Sequence, residues 1–178
     1  MRSAILLFAL ALLSVSPLSG QVERGDPIPL SQHARVKQAV AWASIDLEYR
    51  RPVARGRELF GSLIPWDEAW TPAADSAVVF TTSAPLTVAG EPLAAGSYSL
   101  WLIPREAGPW TVIFSRNARV FHGPYPGPRR DALRVEVEPK RGEHVESVLF
   151  LFPWAEGPET ELHFRWGETL LPIPITVR

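Results

Sequence analysis

The run LTVAGEPLAAGSYSLWL, residues 86–102, decides the fold class. Leu86-Thr87-Val88 and the segment from Pro92 flank the turn residues Ala89-Gly90-Glu91, so the stretch reads as a β-hairpin. Gly96 then marks a tight turn into a further strand. On that strand Tyr98, Leu100 and Leu102 share one face, while Ser97, Ser99, Trp101 and Ile103 share the other. Large apolar side chains stand on both faces, which predicts a central strand covered on two sides.

Working outward, residues 110–114 (WTVIF) pair with this strand across the turn Pro104-Arg105-Glu106-Ala107-Gly108-Pro109. Residues 77–82 (AVVFTT) are β-branched and aromatic, another strand. Ile45, Leu47 and Tyr49 alternate with Asp46, Glu48 and Arg50, and Val36, Gln38 and Val40 begin a similar stretch that ends near Trp42. Downstream, Leu133, Val135 and Val137 alternate with charged residues, residues 145–152 (VESVLFLF) are apolar, and Leu162, Phe164 and Trp166 alternate with Glu161, His163 and Arg165. Residues 122–128 (HGPYPGP) read as a loop without regular structure. The final stretch, residues 170–177 (LLPIPITV), carries Pro172 and Pro174 two apart, so both missing N–H groups point to one side and predict an edge strand. Short strands separated by turn signals, with no amphipathic helix, indicate an all-β fold, a single antiparallel β-sandwich of jelly-roll or immunoglobulin-like topology. The expected organisation is a signal peptide over residues 1–20, an extended lead-in over 21–32 and the sandwich over 33–178, with a long ordered loop after the second or third strand.

The leader rests on Arg2, the apolar run of residues 4–13 and the small residues of 14–20. That run is too short for a stable membrane span. The expectation is an exported protein, periplasmic or extracellular, cut near Gln21 and not inserted in a membrane afterwards. The chain of 178 residues contains no cysteine, which removes disulfides, thiolate metal sites and thiol nucleophiles. Seven tryptophans and eight phenylalanines supply the apolar area instead. A net charge of −1 gives no basic excess for nucleic acid.

Between the early strands lies YRRPVARGRELFGSLIPWDEAWTP, residues 49–72, with four arginines, two tryptophans and three prolines. It fits neither the helical nor the strand period, and a long ordered loop of charged and aromatic residues is where a β-scaffold carries function. Tyr49, Arg51-Pro52, Gly56-Arg57, Leu59-Phe60-Gly61, Pro65 and Trp70 here, with Ala95-Gly96, Tyr98-Ser99-Leu100, Ile103-Pro104, Trp110-Thr111-Val112-Ile113, Leu133-Arg134-Val135 and Pro139 later, form a set. In these marks the chain resembles a bacterial exported family known as domain of unknown function 2911, from about Ser31 onward. The resemblance implies a β-sandwich with no established activity, and singles out Arg51 and Arg57. It also exposes a departure. Where such proteins read Arg-Thr-Gly-Ala-Asn-Glu-Ala-Thr after the tryptophan, this chain has Thr71-Pro72-Ala73-Ala74-Asp75-Ser76-Ala77-Val78, and Asp75 is the one acid left.

The candidate contact residues are Arg51, Arg57, Trp66, Asp67, Glu68, Asp75 and His122. Arg50, Arg51, Arg55 and Arg57 suit an anion clamp, although Glu48, Glu58, Asp67 and Glu68 lie near enough to pair with them, and pairing has the stronger prior. Trp66 and Trp70 suit a stacking platform for a sugar or aromatic ligand, against a plain anchoring role that fits Trp70 better. Trp66 is expected to be the more exposed, sharing a cavity with Arg57. Asp67, Glu68 and Asp75 offer carboxylates for hydrolysis, but nothing in their spacing makes them converge. His122, in the glycine–proline loop, is the one histidine in a site-like setting, whereas His163 defaults to solvent. There is no zinc spacing, nucleophile elbow or phosphate loop, so no metal and no cofactor is expected. The first-ranked reading is a non-catalytic binding module using residues 49–75 on a small ligand, glycan or protein. A structural or protein-interaction domain ranks second and a hydrolase using the loop carboxylates third.

Overall fold

A computed structural model describes residues 30–178; the leader and most of the lead-in lie outside that range. The hairpin that decided the fold class is β4 (Leu86–Val88) with β5 (Glu91–Leu93), and the strand after it is β6 (Gly96–Ile103). Before them come β1 (Gln32–Val40), β2 (Ala43–Arg51) and β3 (Val78–Thr82). After them come β7 (Trp110–Ser115), β8 (Asp131–Val137), β9 (Lys140–Leu151), β10 (Ala155–Glu156) and β11 (Glu159–Val177). One sheet has the order β1-β2-β3-β6-β7-β8 and the other runs β10-β11-β4-β5 with β9 also on β11, all pairs antiparallel. The β-sandwich is therefore as the alternation predicted, and β6 is central, between β3 and β7.

The two inner faces meet in one core. Ile45, Leu47, Phe80, Leu100, Leu102, Val112 and Phe114 from the first sheet cluster with Leu86, Val88, Phe150, Phe164, Trp166 and Ile173 from the second, each at most 1% exposed. Each such side chain contributes on the order of 1.5–3 kcal/mol by leaving water. One corner is closed by continuing β2 onto the other sheet. Val148 N–H donates to Pro52 O at 2.9 Å and Ala54 N–H to Glu146 O at 2.7 Å, while the Tyr49 hydroxyl accepts Phe150 N–H at 3.0 Å.

Two expectations change. The stretches of residues 161–166 and 170–177 belong to one hydrogen-bonded strand of 19 residues, but that strand is not straight. Extended, it would reach about 60 Å, whereas Val177 N–H donates to Pro158 O at 2.8 Å. So β11 folds back on itself, and Gly167, with φ of 56°, stands where its register against β9 shifts. A side chain there would be strained by φ and its Cβ would come within 2.9 Å of Leu59.

The second change concerns the edge. The arm with Pro172 and Pro174 is an interior element, because Ile175–Val177 pairs with β4. The prolines are tolerated because β4 stops at Val88, so its ladder never calls on their absent N–H groups. Pro174 offers its carbonyl instead, which accepts Ala89 N–H at 2.9 Å.

Candidate functional site

Residues 52–77, between β2 and β3, are held by the sandwich along most of their length. Trp70 and Leu102 exchange backbone hydrogen bonds at 2.8 and 2.7 Å, and Asp67 N–H donates to Pro104 O at 2.8 Å. The segment thus takes the place beside β6 before the β3 ladder begins at Val78. Thr71, fully buried, seals the junction: its hydroxyl donates to Leu100 O at 2.8 Å and accepts Val78 N–H at 3.1 Å. Trp70 stacks on Trp166 with centroids 5.7 Å apart and meets Phe60 and Phe164 edge-on. That is the anchoring role expected of it.

Trp66 is half-buried rather than exposed. Its ring stacks on Phe60 and meets Trp110 edge-on, with centroids at 6.1 and 6.5 Å. A Cβ at Gly61 would lie 2.5 Å from its indole nitrogen, so only glycine lets the ring in. Beside Trp66 is a hollow of about 300 Å³ lined by Trp110, Arg105, Lys140, Arg141 and Glu168. Arg57 does not line it. The shared cavity is a correction: the Arg57 guanidinium turns back to Ala54 O at 2.9 Å and Val53 O at 2.6 Å. Arg51 likewise donates to Val148 O at 2.8 Å. The two arginines that the family resemblance singled out are therefore tied to main-chain carbonyls.

Asp67 adopts φ of 62° and lies 3.8 Å from Arg105; Glu68 beside it is exposed. Asp75 goes elsewhere. The end of the loop is stitched to the segment after β7: Ser76 bridges Phe121, Ala77 N–H donates to Val120 O at 3.0 Å, and His122 N–H to Asp75 O at 3.3 Å. Asp75 and His122 are thereby brought together, apart from the contacts of Trp66 and Asp67 and from those of Arg51 and Arg57. His163 departs from expectation too: its side chain is 17% exposed and lies 2.7 Å from Glu161.

Residues 116–130 form a cover on the outer face of the first sheet. Trp101, Ile113 and Ala77 are buried there under Val120 and Tyr125, and the Tyr125 ring meets Trp101 at 5.3 Å. This is why β6 is apolar on both faces. The Tyr125 hydroxyl donates to Asp131, which also receives Arg134. Burial, then the bond to Asp131, pushes the phenol above its usual range.

Next to the cover lie two hollows of about 310 and 270 Å³ that share Val79 and Arg119 and so form one groove. Its floor is the wet face of β2, β3 and β6. Arg35 grips Asp46 through two nitrogens at 2.9 and 2.5 Å and approaches Glu48 at 3.8 Å. The bond to Asp46 raises the pKa of Arg35. Arg119 reaches Glu48 at 3.6 Å, and Arg50 reaches Asp75 at 3.3 Å. Thr81 and Ser97 share a hydrogen bond of 2.9 Å on the floor. Phe121, 64% exposed, stands on the rim with His122 against its ring, centroids 4.3 Å apart. Arg35, Asp46, Glu48, Arg119 and Phe121 escaped sequence reasoning. The hairpin register would have found Arg35 and Glu48, which it sets opposite each other, whereas it sets Asp46 against Lys37.

The family described as "Protein of unknown function (DUF2911)" matches residues 31–175. The chain belongs to that family. No curated protein and no solved structure matches it. Within this DUF2911 chain, the departing stretch of residues 71–78 serves two ends: Thr71 to Ala73 are buried, and Asp75 and Ser76 reach the groove. A further hollow, about 550 Å³ beside Pro172 and Pro174, is lined by Glu136, Glu138, Glu161 and Lys140. Glu136 there is already bonded to Thr111 and Arg105.

Proposed function

We propose that this DUF2911 member is an exported, non-catalytic binding module whose contact surface is the groove between the wet face of the first sheet and the cover over residues 116–130. The observation that carries the reading is the pairing of the groove's charges. Arg35, Arg50 and Arg119 are matched by Asp46, Glu48 and Asp75, each within 4 Å of an opposite charge. Such a lining is pre-oriented before anything binds, which lowers the cost of association. Its carboxylates are committed to guanidinium groups, an arrangement for holding rather than for proton transfer. Asp75 of the expected contact set lines this surface, and His122 adjoins it through the Phe121 ring. Arg51 and Arg57 support it only from a distance, by fixing the loop.

A thermal-shift screen of polar small molecules, oligosaccharides and peptides tests the reading. A ligand present at about a hundred times its Kd should raise stability by about 2.7 kcal/mol. Ligands that stabilise the wild type should lose their effect in Asp75→Ala. Stabilisation indifferent to groove variants, or conversion of the bound ligand into product, overturns it. Export is tested separately: protein isolated from its native host should begin near Gln21, and a soluble cytoplasmic protein that retains Met1 would exclude it.

A further inference from the structure

Resting on the groove as the binding surface, we infer that its ligand is an uncharged glycan, with a pyranose ring laid against Phe121 and its hydroxyls bonded to the paired side chains on the floor. The argument starts from charge. Three cations and three anions line or border the groove, and each is paired, so the groove presents no net charge for an ionic ligand to neutralise. A hydroxyl needs none. It donates to a free carboxylate lone pair and accepts from a guanidinium N–H at once, and neighbouring hydroxyls on a sugar repeat that motif. Thr81 and Ser97 add two further donor–acceptor groups on the same floor.

The backbone argues next. An extended peptide binds a sheet by adding to an unpaired edge. Here the floor strands β2, β3 and β6 are interior strands with a neighbour on both sides, and the edge strand β1 lines the groove through the Arg35 side chain. A peptide would also need apolar side pockets, whereas the apolar lining is limited to Val79, Val120 and Phe121. Phe121 supplies the remaining part. Its ring is largely open to water while Ser76 holds its backbone, so it presents an electron-rich face at the groove. The C–H face of a pyranose is the complement of such a surface. Tyr125, by contrast, is turned inward onto Trp101.

Affinity electrophoresis of the full chain through gels containing a neutral β-glucan, an α-glucan, a mannan or the anionic polymer alginate provides the test, with a random peptide library as the other arm. At least one neutral polysaccharide should retard the wild type and alginate should not. Phe121→Ala should weaken that retardation roughly two- to tenfold, the range of one aromatic contact, with its melting temperature unchanged. Phe121→Trp should keep or strengthen it, and Glu48→Gln should weaken it. If a peptide binds through the groove instead, the glycan inference falls while the binding-module reading stands. Failure of every polysaccharide, or retardation unchanged in Phe121→Ala, also overturns the inference. If no ligand of either kind depends on groove residues, both fall together.

Discussion

Residues 52–77 and residues 116–130 are built from similar material, proline, glycine, arginine and aromatic rings, yet they end in opposite conditions. The first segment lies against the open end of the core, where Phe60, Trp66 and Trp70 meet Trp110 and Trp166. The second lies on the outer face of a sheet, where Tyr125 and Val120 find Trp101 and Ile113 but Phe121 is left in water. What separates them is the supply of partners. A loop aromatic that reaches a free patch of core becomes an anchor, and one that reaches a face already covered is left over. The leftover ring bears on function through its position, because it borders the groove.

The contrast can be broken most forcefully at Trp70. Trp70→Ala should cost about 3 kcal/mol or more, read from denaturation midpoints, since it opens a cavity against Trp166 and Phe60. A loss below about 1 kcal/mol would mean that the first segment is no better anchored than the second. Thr71→Val comes next. It keeps the shape but leaves Leu100 O and Val78 N–H without their buried partner, at a cost of about 1–3 kcal/mol. Thr71→Ser, which restores the hydroxyl, should recover most of that loss.

A smaller effect is expected for the cover. Tyr125→Phe removes the tie to Asp131 and should cost about 1 kcal/mol, with faster protease cleavage within residues 116–130 and none within 52–77. Equal cleavage of both segments would erase the distinction. The least effect lies at Glu146, whose carboxylate is held below its ordinary range by His144, then by the Arg55 N–H at 2.7 Å. A carboxylate depressed on folding adds stability above its unfolded pKa and loses it as pH falls through the folded one. The wild type should therefore lose slightly more stability on acidification than Glu146→Gln, and a reversed difference would count against the contact. The group is exposed, so the difference should be small.

The sandwich was legible because its signals are local. Alternation at Ile45, Leu47 and Tyr49 or at Leu133, Val135 and Val137 marks a face whatever the partner, and the doubly apolar β6 announced its central place. The edge predicted from Pro172 and Pro174 failed because the absent N–H groups matter only where a neighbour is long enough to need them, and the length of β4 is not written near residue 172. The site was less legible for the same kind of reason. Arg51 and Arg57 stand among acids in sequence but spend their donors on carbonyls of Val53, Ala54 and Val148, and carbonyls carry no mark in a sequence. Asp75 and His122 were picked out, but their meeting depends on a few backbone links across forty-odd residues. Phe121 had a usable sign: an apolar ring beside a glycine–proline tract, with no alternating strand to carry it inward.

The fold-back of β11 bears on the order in which the protein assembles. Its second arm joins β4 through Leu86 and Val177, partners far apart along the chain, and it lies against its own first arm at Pro158. Until residues near 175 arrive, the second sheet lacks the element that connects its two halves, so an emerging chain holds a hairpin on one side and β9 on the other with nothing between. Long-range pairings of this kind form late and slowly. A chain whose second sheet stays incomplete until β11 closes on β4 remains open for as long as it is being made.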